Sequence, residues 1–246
     1  MDRAIYLAMT GATQTMRAQA ENNFDLANIS TDGFKAKLAA FQSVPVQGPG
    51  YASRINAVSR GVGYDFSAGP LITTGNPLDV AVQGQGWIAV QAPDGSEAYT
   101  RAGALAVNAQ GMLVTATGLP VLGDNGPISV PPYSSIRIGG DGTISLVPQG
   151  QSPSSVASVG RIKLVNPPLQ QLTQTGDGLF QLKSGAPAAD DPTVRLASGV
   201  IEGSNVNPAE ALVRMIELSR QYELQVRSIK TADQNAQAAT QLLSLS

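Results

Sequence analysis

The stretch Asn207-Pro208-Ala209-Glu210-Ala211-Leu212-Val213-Arg214-Met215-Ile216-Glu217-Leu218-Ser219-Arg220-Gln221-Tyr222 opens a run whose period decides how the whole chain is read. Asn207 is a helix-capping residue, and Pro208 follows at the first helical position, where a missing N–H costs nothing. Glu210 falls in the first turn, where the helix dipole favours a carboxylate. A heptad then runs Leu212, Met215, Ser219, Tyr222, Val226, Ile229, Asp233, Ala236, Thr240 and Leu243. A spacing of 3.5 residues kept across the run predicts a coiled-coil seam. Ser219, Asp233 and Thr240 weaken that seam; polar residues there cost stability and are expected to fix register and partner choice.

The other end of the chain has the same character. Ile5, Met9, Ala12, Met16, Ala20, Phe24 and Ala27 recur in steps of three and four, which predicts a helix over residues 3–29. Gly11 costs such a helix about 1 kcal/mol. It is expected to stop near Asn28, because Ser30-Thr31-Asp32-Gly33 is turn chemistry. Each end has an apolar stripe too narrow to close a core of its own, so the two ends are expected to pair with each other and with the ends of neighbouring subunits.

Between the ends the pattern changes. Residues 36–70 are broken by Gly48-Pro49-Gly50, Gly61-Val62-Gly63 and Gly69-Pro70, and read as an extended arm or loop, with a flexible linker as the open alternative. From Leu78 the period is two: Leu78, Val80 and Val82 alternate with Asp79, Ala81 and Gln83, and Trp87-Ile88-Ala89-Val90 runs into the hairpin pair Asp94-Gly95. Further short apolar runs follow at Ala104–Val107, Met112–Thr115, Ile136–Ile138, Thr143–Val147, Arg161–Val165 and Leu179–Leu182. Many short strands at this spacing predict an antiparallel all-β domain, an open barrel or a sandwich. The fold class is therefore α+β. N- and C-terminal helices (1–35 and 201–246) pair as a coiled-coil-like domain, an arm covers 36–70, and an antiparallel β-domain is inserted at 71–200.

Bulk composition excludes several functions. The 246 residues carry a net charge of −2, from 16 basic and 18 acidic side chains, which leaves no basic face for a nucleic acid. Only 14% of residues are charged, below the usual quarter. Either partners cover much of the surface, or the surface is simply rich in Ser, Thr, Gln and Asn. There is no Cys and no His, so thiolate chemistry and the commonest general base and metal ligand are missing. The start Met1-Asp2-Arg3-Ala4-Ile5-Tyr6-Leu7 is not a secretory signal, since its apolar stretch is broken by Thr10 and Gly11. No stretch approaches the length of a membrane span. Departure from the cytoplasm would use a route that cleaves no leader.

Candidate chemistry is sparse. Gly84-Gln85-Gly86-Trp87-Ile88-Ala89 matches a loose dinucleotide fingerprint, but strand-like residues follow where a helix is required, so a tight β-connection is expected. Asp190-Asp191, flanked by Pro187 and Pro192, reads as a solvated loop. Asp65, Asp79 and Glu97 are isolated acids that pairing would turn into a glycoside-hydrolysis couple. Trp87 and Tyr99 read as half-buried packing residues, with a sugar-stacking platform as the alternative. The last helix mixes Glu210, Glu217, Arg220, Glu223, Arg227 and Lys230 on its polar face, which fits a protein partner better than a membrane surface.

Three segments together resemble one family. Leu26-Ala27-Asn28-Ile29-Ser30-Thr31-Asp32-Gly33-Phe34-Lys35 is similar to the L-A-N-x-x-T-x-G-F-[KR] motif of the flagellar rod and hook proteins. Gly75-Asn76-Pro77-Leu78-Asp79-Val80-Ala81-Val82-Gln83-Gly84 through Gly86-Trp87, with Tyr99-Thr100-Arg101-Ala102-Gly103, resembles that family's T-G-x-x-L-D-x-A-x-x-G-x-G and Y-T-R-x-G region. Gly199-Val200-Ile201-Glu202-Gly203-Ser204-Asn205-Val206 resembles its G-x-x-E-x-S-N-V before the last helix. Within the family the nearest resemblance is to the proximal-rod member, with the distal-rod and hook-type members as alternatives. It rests on the opening Met1–Ala12, on Trp87, on Gly160-Arg161-Ile162-Lys163-Leu164-Val165 and on the ending Gln241–Ser246. Phe24-Asp25 stands where the family usually has Asn-Asn.

The resemblance implies a structural protein with no catalytic, cofactor-binding or metal site. It implies passage through the flagellar export apparatus without signal cleavage, and assembly in the periplasm into the rod, a hollow drive shaft carrying torque. Itself and other proximal- and distal-rod subunits are the implied partners, with terminal helices lining the inner tube and the β-domain outside. The heptad residues Leu212, Met215, Tyr222, Val226 and Ile229 are expected to pack on Ile5, Met9, Ala12 and Met16, within and between subunits. Leu26, Asn28, Thr31, Gly33, Phe34, Glu202, Ser204 and Asn205 are expected at the assembly junction, with Gly33 also a left-handed helix terminator. A periplasmic cell-wall hydrolase or carbohydrate binder is the alternative from another class.

Overall fold

Helix α1 covers Asp2–Ala27 and helix α2 covers Pro208–Ser244 in the computed structural model, which describes residues 2–45, 55–175 and 178–244. The ends form as the local chemistry requires. The backbone N–H groups of Ala209 and Glu210 donate to Asn207 Oδ1 at 3.0 and 3.4 Å, so Asn207 caps α2 with Pro208 behind it. At the end of α1 the Asn28 side-chain amide donates to Phe24 O at 2.9 Å. Among the described residues no helix is long and apolar enough to cross a membrane.

The chain divides into two units. The first comprises Met1–Ile29, Lys35–Phe66 and Val206–Ser246. In it α1 and α2 pack antiparallel. Asn22 Nδ2 donates to Ala211 O at 2.9 Å, while a Cβ placed on Gly11 would lie 2.9 Å from Gln225 Cδ. The neighbouring atoms are the far end of a flexible side chain, so the contact marks where α2 crosses α1 rather than a place only glycine can fill.

The packed faces differ from the sequence expectation. On α2 the shielded row is Ala211, Met215, Leu218, Tyr222, Gln225, Ile229, Ala232, Ala236 and Ala239, in alternating steps of four and three. Met215, Tyr222, Ile229 and Ala236 belong to the expected heptad; its other column is displaced by one residue. Leu212, Ser219, Asp233 and Thr240 are exposed, so no polar residue of that set weakens the seam, and Val226 is half-buried beside Gln225. The side chain of Leu243 lies outside the described residues. Adjacent columns of a helix satisfy the same period. Here Ala211, rather than the larger Leu212, takes the buried position. On α1 the shielded row is Ala8, Ala12, Thr15, Ala18, Asn22 and Asp25, and Met9, Met16, Ala20, Phe24 and Ala27 are exposed. The stripe marked by large apolar residues is therefore the outer face of α1, with Ala12 alone among them fully buried.

Among its described residues, much of the stretch after α1 is extended and paired. Strand β1 (Lys37–Pro45) and strand β2 (Ile55–Tyr64) form an antiparallel hairpin, in register from Lys37 opposite Tyr64 to Pro45 opposite Ile55, with an irregularity at Leu38/Ala39. Gly61 and Gly63 sit inside β2, and Gly48-Pro49-Gly50 lies outside the described residues. Gln14 of α1 accepts the Ser59 N–H at 3.0 Å, which ties the hairpin to the helix.

The second unit comprises Ser30–Phe34 and Ser67–Asn205. Its strands are paired antiparallel. They include β3 (Leu71–Thr73), β4 (Val80–Gln83), β5 (Trp87–Gln91) and β6 (Glu97–Thr100). A five-stranded sheet runs in the order Leu164–Val165, β5, β6, Phe180–Leu182, Leu172–Gln174. A three-stranded sheet joins Tyr133–Ile138, Thr143–Pro148 and Ala157–Arg161. β4 pairs with Arg195–Ser198, and β3 with Val200–Glu202. One core fills the unit, with Val80, Ile88, Val90, Leu113, Ile144 and Leu164 wholly buried. Gly84 and Gly86 turn the chain directly from β4 into β5, so the dinucleotide reading fails for want of a helix. Trp87 packs on Phe180 at 4.8 Å between ring centroids and Tyr99 is fully buried; both are core residues, and neither is a sugar platform.

Candidate assembly junction

The three recognisable motifs meet at one node inside the second unit. Glu202 closes the strand Val200–Glu202 and is wholly buried. Its Oε2 lies 3.0 Å from Arg101 Nη1, and its Oε1 accepts the Gly69 N–H at 3.1 Å. Its backbone carbonyl accepts the Gly33 N–H at 2.7 Å. Arg101, just past β6, donates from Nη2 to Gly84 O at 2.7 Å and holds its cation 5.4 Å from the Trp87 ring centroid. The two charged side chains are 6% and 1% exposed. Two ions taken out of water at this depth need good geometry and engaged hydrogen-bonding groups; here Arg101 Nε is buried without a hydrogen-bond partner, so the pair is not fully satisfied.

The backbone leaves little slack around this pair. Gly33 has φ 66°, and a Cβ there would stand 2.2 Å from the Arg101 carbonyl carbon. Gly33 is therefore a close-approach residue rather than a helix terminator, since α1 has already ended at Ala27. A Cβ on Gly69 would stand 2.1 Å from Gly203 O, and one on Gly103 1.6 Å from Val80 O. Asn205 N donates to Phe34 O at 3.3 Å, and the Asn205 side-chain amide reaches Ser67 O and Oγ, each at 3.3 Å. Phe34 and Ser204 are buried, and Thr31 is exposed with its carbonyl accepting the Phe34 N–H at 3.3 Å. The segment leaving Ser30–Phe34 and the segment approaching α2 are thus stitched side by side. Burial raises the Asp32 carboxyl above its ordinary value, and the Asp79 charge nearby adds to that.

The remaining expected site residues lie in the first unit. Met9, Met16 and Leu212 are exposed; Ile5, Leu26, Asn28, Met215, Tyr222, Val226 and Ile229 are half-buried; Ala12 is buried. Glu202 has its carboxylate engaged within the chain. Arg101, Gly69 and Gly103 carry the node without having been singled out. Arg101 and Gly103 stand in the Y-T-R-x-G segment, and an arginine between a tyrosine strand and a glycine was the available signal.

Two of the acids considered for hydrolysis, Glu97 and Asp79, are engaged in the fold. Glu97 binds Lys163 Nζ at 2.8 Å, and accepts hydrogen bonds from Tyr99 Oη at 3.0 Å and Ala188 N at 3.2 Å. Burial raises the pKa of the Tyr99 hydroxyl, with Glu97 acting in the same direction. Asp79 accepts hydrogen bonds from Thr74 Oγ1 at 2.6 Å and Asn76 Nδ2 at 2.9 Å, which organises the turn before β4. Asp191 accepts the Thr193 N–H and hydroxyl, which hold its carboxyl below the usual range.

Comparison with known proteins agrees with the motifs. Residues 197–242 match the family described as flagellar basal body rod FlgEFG protein C-terminal, and residues 81–146 match the flagellar hook protein FlgE/F/G D1 domain. The chain is 47% identical to the flagellar basal-body rod protein FlgF of Salmonella typhimurium and 45% identical to that of Escherichia coli, each over the full length of both chains. It is 36% identical to the flagellar basal-body rod protein FlgG of Buchnera aphidicola, over 97% of this chain and 99% of that one. With its three motifs joined at one buried node and full-length identity of this order, the chain belongs to the flagellar basal-body rod protein family.

Proposed function

We propose that this chain is a structural subunit of the bacterial flagellar basal-body rod, in its proximal part, and helps build the hollow axial shaft that transmits torque. One observation of the structure carries the reading: α1 turns its large apolar residues outward. Met9 is 50% exposed and Met16 55%, while the face toward α2 is built of alanine, threonine and asparagine. Exposed apolar surface in a continuous row marks a contact with another protein. The 47% and 45% identities to two relatives named FlgF, above the 36% to the FlgG relative, support the proximal position.

On this reading the terminal helices form a coiled-coil-like helical core domain and the β-unit is an insertion between them. The helices line the inner tube. The chain travels through the flagellar export apparatus and assembles in the periplasm with itself and other rod subunits. Its role is mechanical and not enzymatic, with no cofactor. Met16→Glu tests the reading by placing a charge on the outer face of α1. The variant is expected to keep the unfolding midpoint of the parent chain, to be missing from isolated basal bodies, and to abolish swimming. Normal incorporation and motility would sink the proposal.

A further inference from the structure

Two clefts of the second unit differ in what lines them. One, of about 600 Å³, has Glu97, Asp124, Lys163 and Asp190 on its walls, and Lys163 Nζ is already joined to Glu97 at 2.8 Å. The other, of about 610 Å³, is lined without any charged side chain. The turn from Val107 to Gly111 forms one wall, the segment from Ser129 to Tyr133 another, and Gln149 adds a third side. A volume of this size suits a small ligand.

The walls are held by bonds that leave their neutral side chains uncommitted. Asn108 Oδ1 accepts the N–H groups of Gln110 at 3.0 Å and Met112 at 2.9 Å, which fixes the turn. Gly111 N donates to Asn108 O, Val130 N to Gly111 O and Gln149 N to Pro132 O. Pro131 and Pro132 have no N–H at all. The cleft therefore presents no continuous row of backbone donors and acceptors of the kind that takes up an extended peptide. Among the described residues nothing hydrogen-bonds the side-chain amides of Gln110 and Gln149, the Asn108 Nδ2, or the hydroxyls of Ser129 and Tyr133. Tyr133 is half-buried and packs against the core of the unit, which holds its ring in place.

We infer that this cleft is a binding site for a neutral sugar chain. A carboxamide offers a donor and an acceptor side by side, and adjacent sugar hydroxyls ask for that pair. A fixed aromatic ring has an electron-rich face that packs on the C–H face of a sugar ring. Lack of charge in the lining disfavours phosphates and metal ions, which are held by cationic or carboxylate groups. The inference does not depend on the rod-subunit reading.

The experiment uses the full-length chain with chitotetraose, whose acetamido groups suit a cleft carrying three carboxamides, and with cellotetraose and maltotetraose beside it. Saturation-transfer NMR reads contact from the sugar, and titration calorimetry reads affinity. Chitotetraose is expected to bind. Gln110 and Gln149 are exposed, so Gln110→Ala with Gln149→Ala is expected to leave the urea midpoint of Trp87 fluorescence in place. It should weaken binding roughly tenfold, through loss of two neutral hydrogen-bonding groups. Tyr133→Leu is expected to abolish the transfer signal and Tyr133→Phe to keep it. Asp124→Asn in the charged cleft is expected to change nothing. No transfer to any of the three sugars at millimolar concentration would overturn the inference. So would binding undiminished by the double glutamine change, or weakened equally by Asp124→Asn. The chain has no cysteine, so Gln149→Cys supplies its single thiol. Cross-linking of that thiol to a second polypeptide in cells by a short bis-maleimide would show the cleft filled by protein, and would overturn the inference as well.

Discussion

The helical unit and the β-unit place the same kinds of residue in opposite ways. In the β-unit Trp87, Ile88, Val90 and Leu164 are buried and the polar turns face out. In the helical unit Met9, Met16, Phe24, Leu212, Ile216 and Leu224 face out, while Ala12, Thr15, Asn22 and Asp25 are buried. A unit that closes its own core hides its largest apolar groups. In the helical unit the α1 side of the seam is small and hydrogen-bonded, its α2 side carries Leu218 with the half-buried Met215, Tyr222 and Ile229, and other large apolar residues stay outside.

That contrast is open to direct attack, because each unit has its own spectroscopic reporter. Trp87 is the single tryptophan and sits in the β-unit beside Arg101, whereas far-ultraviolet circular dichroism reads mainly α1 and α2. The largest effect is expected from Arg101→Met, which leaves the buried Glu202 carboxylate without its cation. Removing one partner of a buried pair costs about 3–5 kcal/mol. In urea the tryptophan transition is expected to move to much lower denaturant with the helical signal less displaced. Equal displacement of both signals would mean that the units unfold as one and that the contrast is only geometric. A smaller effect, about 1 kcal/mol, is expected from Asn207→Ala, which removes the cap of α2. It should shift the helical transition and leave the tryptophan transition in place.

Some of this was legible from residues alone. Asn207-Pro208 gives the start of α2 because its signal is local, and Asp94-Gly95 and the alternation from Leu78 to Val82 mark β-structure for the same reason. The outward direction of Met9 and Met16 was not legible. Period identifies a face but not its destination, and a search that follows hydrophobicity takes the apolar face to be the inner one. The hairpin β1–β2 was obscured by Gly61 and Gly63, which read as breaks and are tolerated inside β2. The node was half legible. Glu202, Gly33 and Asn205 were marked by resemblance, but their meeting with Arg101 and Gly69 depends on contacts between residues more than a hundred positions apart in part of the node. No local period encodes that.

The smallest expected effect concerns Asp25, where the family's usual residue is asparagine. Asp25 is buried in the last turn of α1, where the helix dipole disfavours a carboxylate. Burial raises its pKa above 3.8; the Lys37 N–H at 3.4 Å and the charges of Lys37 and Arg214 work against that, and Glu21, one turn earlier, adds to it. A folded-state pKa above the unfolded one means that the native state binds the proton more tightly. Stability therefore falls as pH rises from 3.8 through the folded value, and the ionised group carries its full penalty above it. Asp25→Asn keeps an acceptor for the Lys37 N–H and removes the charge. The variant is expected to raise the helical unfolding midpoint at neutral pH, and the gain is expected to vanish as pH falls below the ordinary carboxyl value. Thermal unfolding followed by circular dichroism across that range measures both parts. A variant less stable than the parent at neutral pH would show that the bond to Lys37 and the two cations outweigh burial. The polar inner face of α1 would then owe part of its stability to charge, which would sharpen its difference from the apolar core of the β-unit.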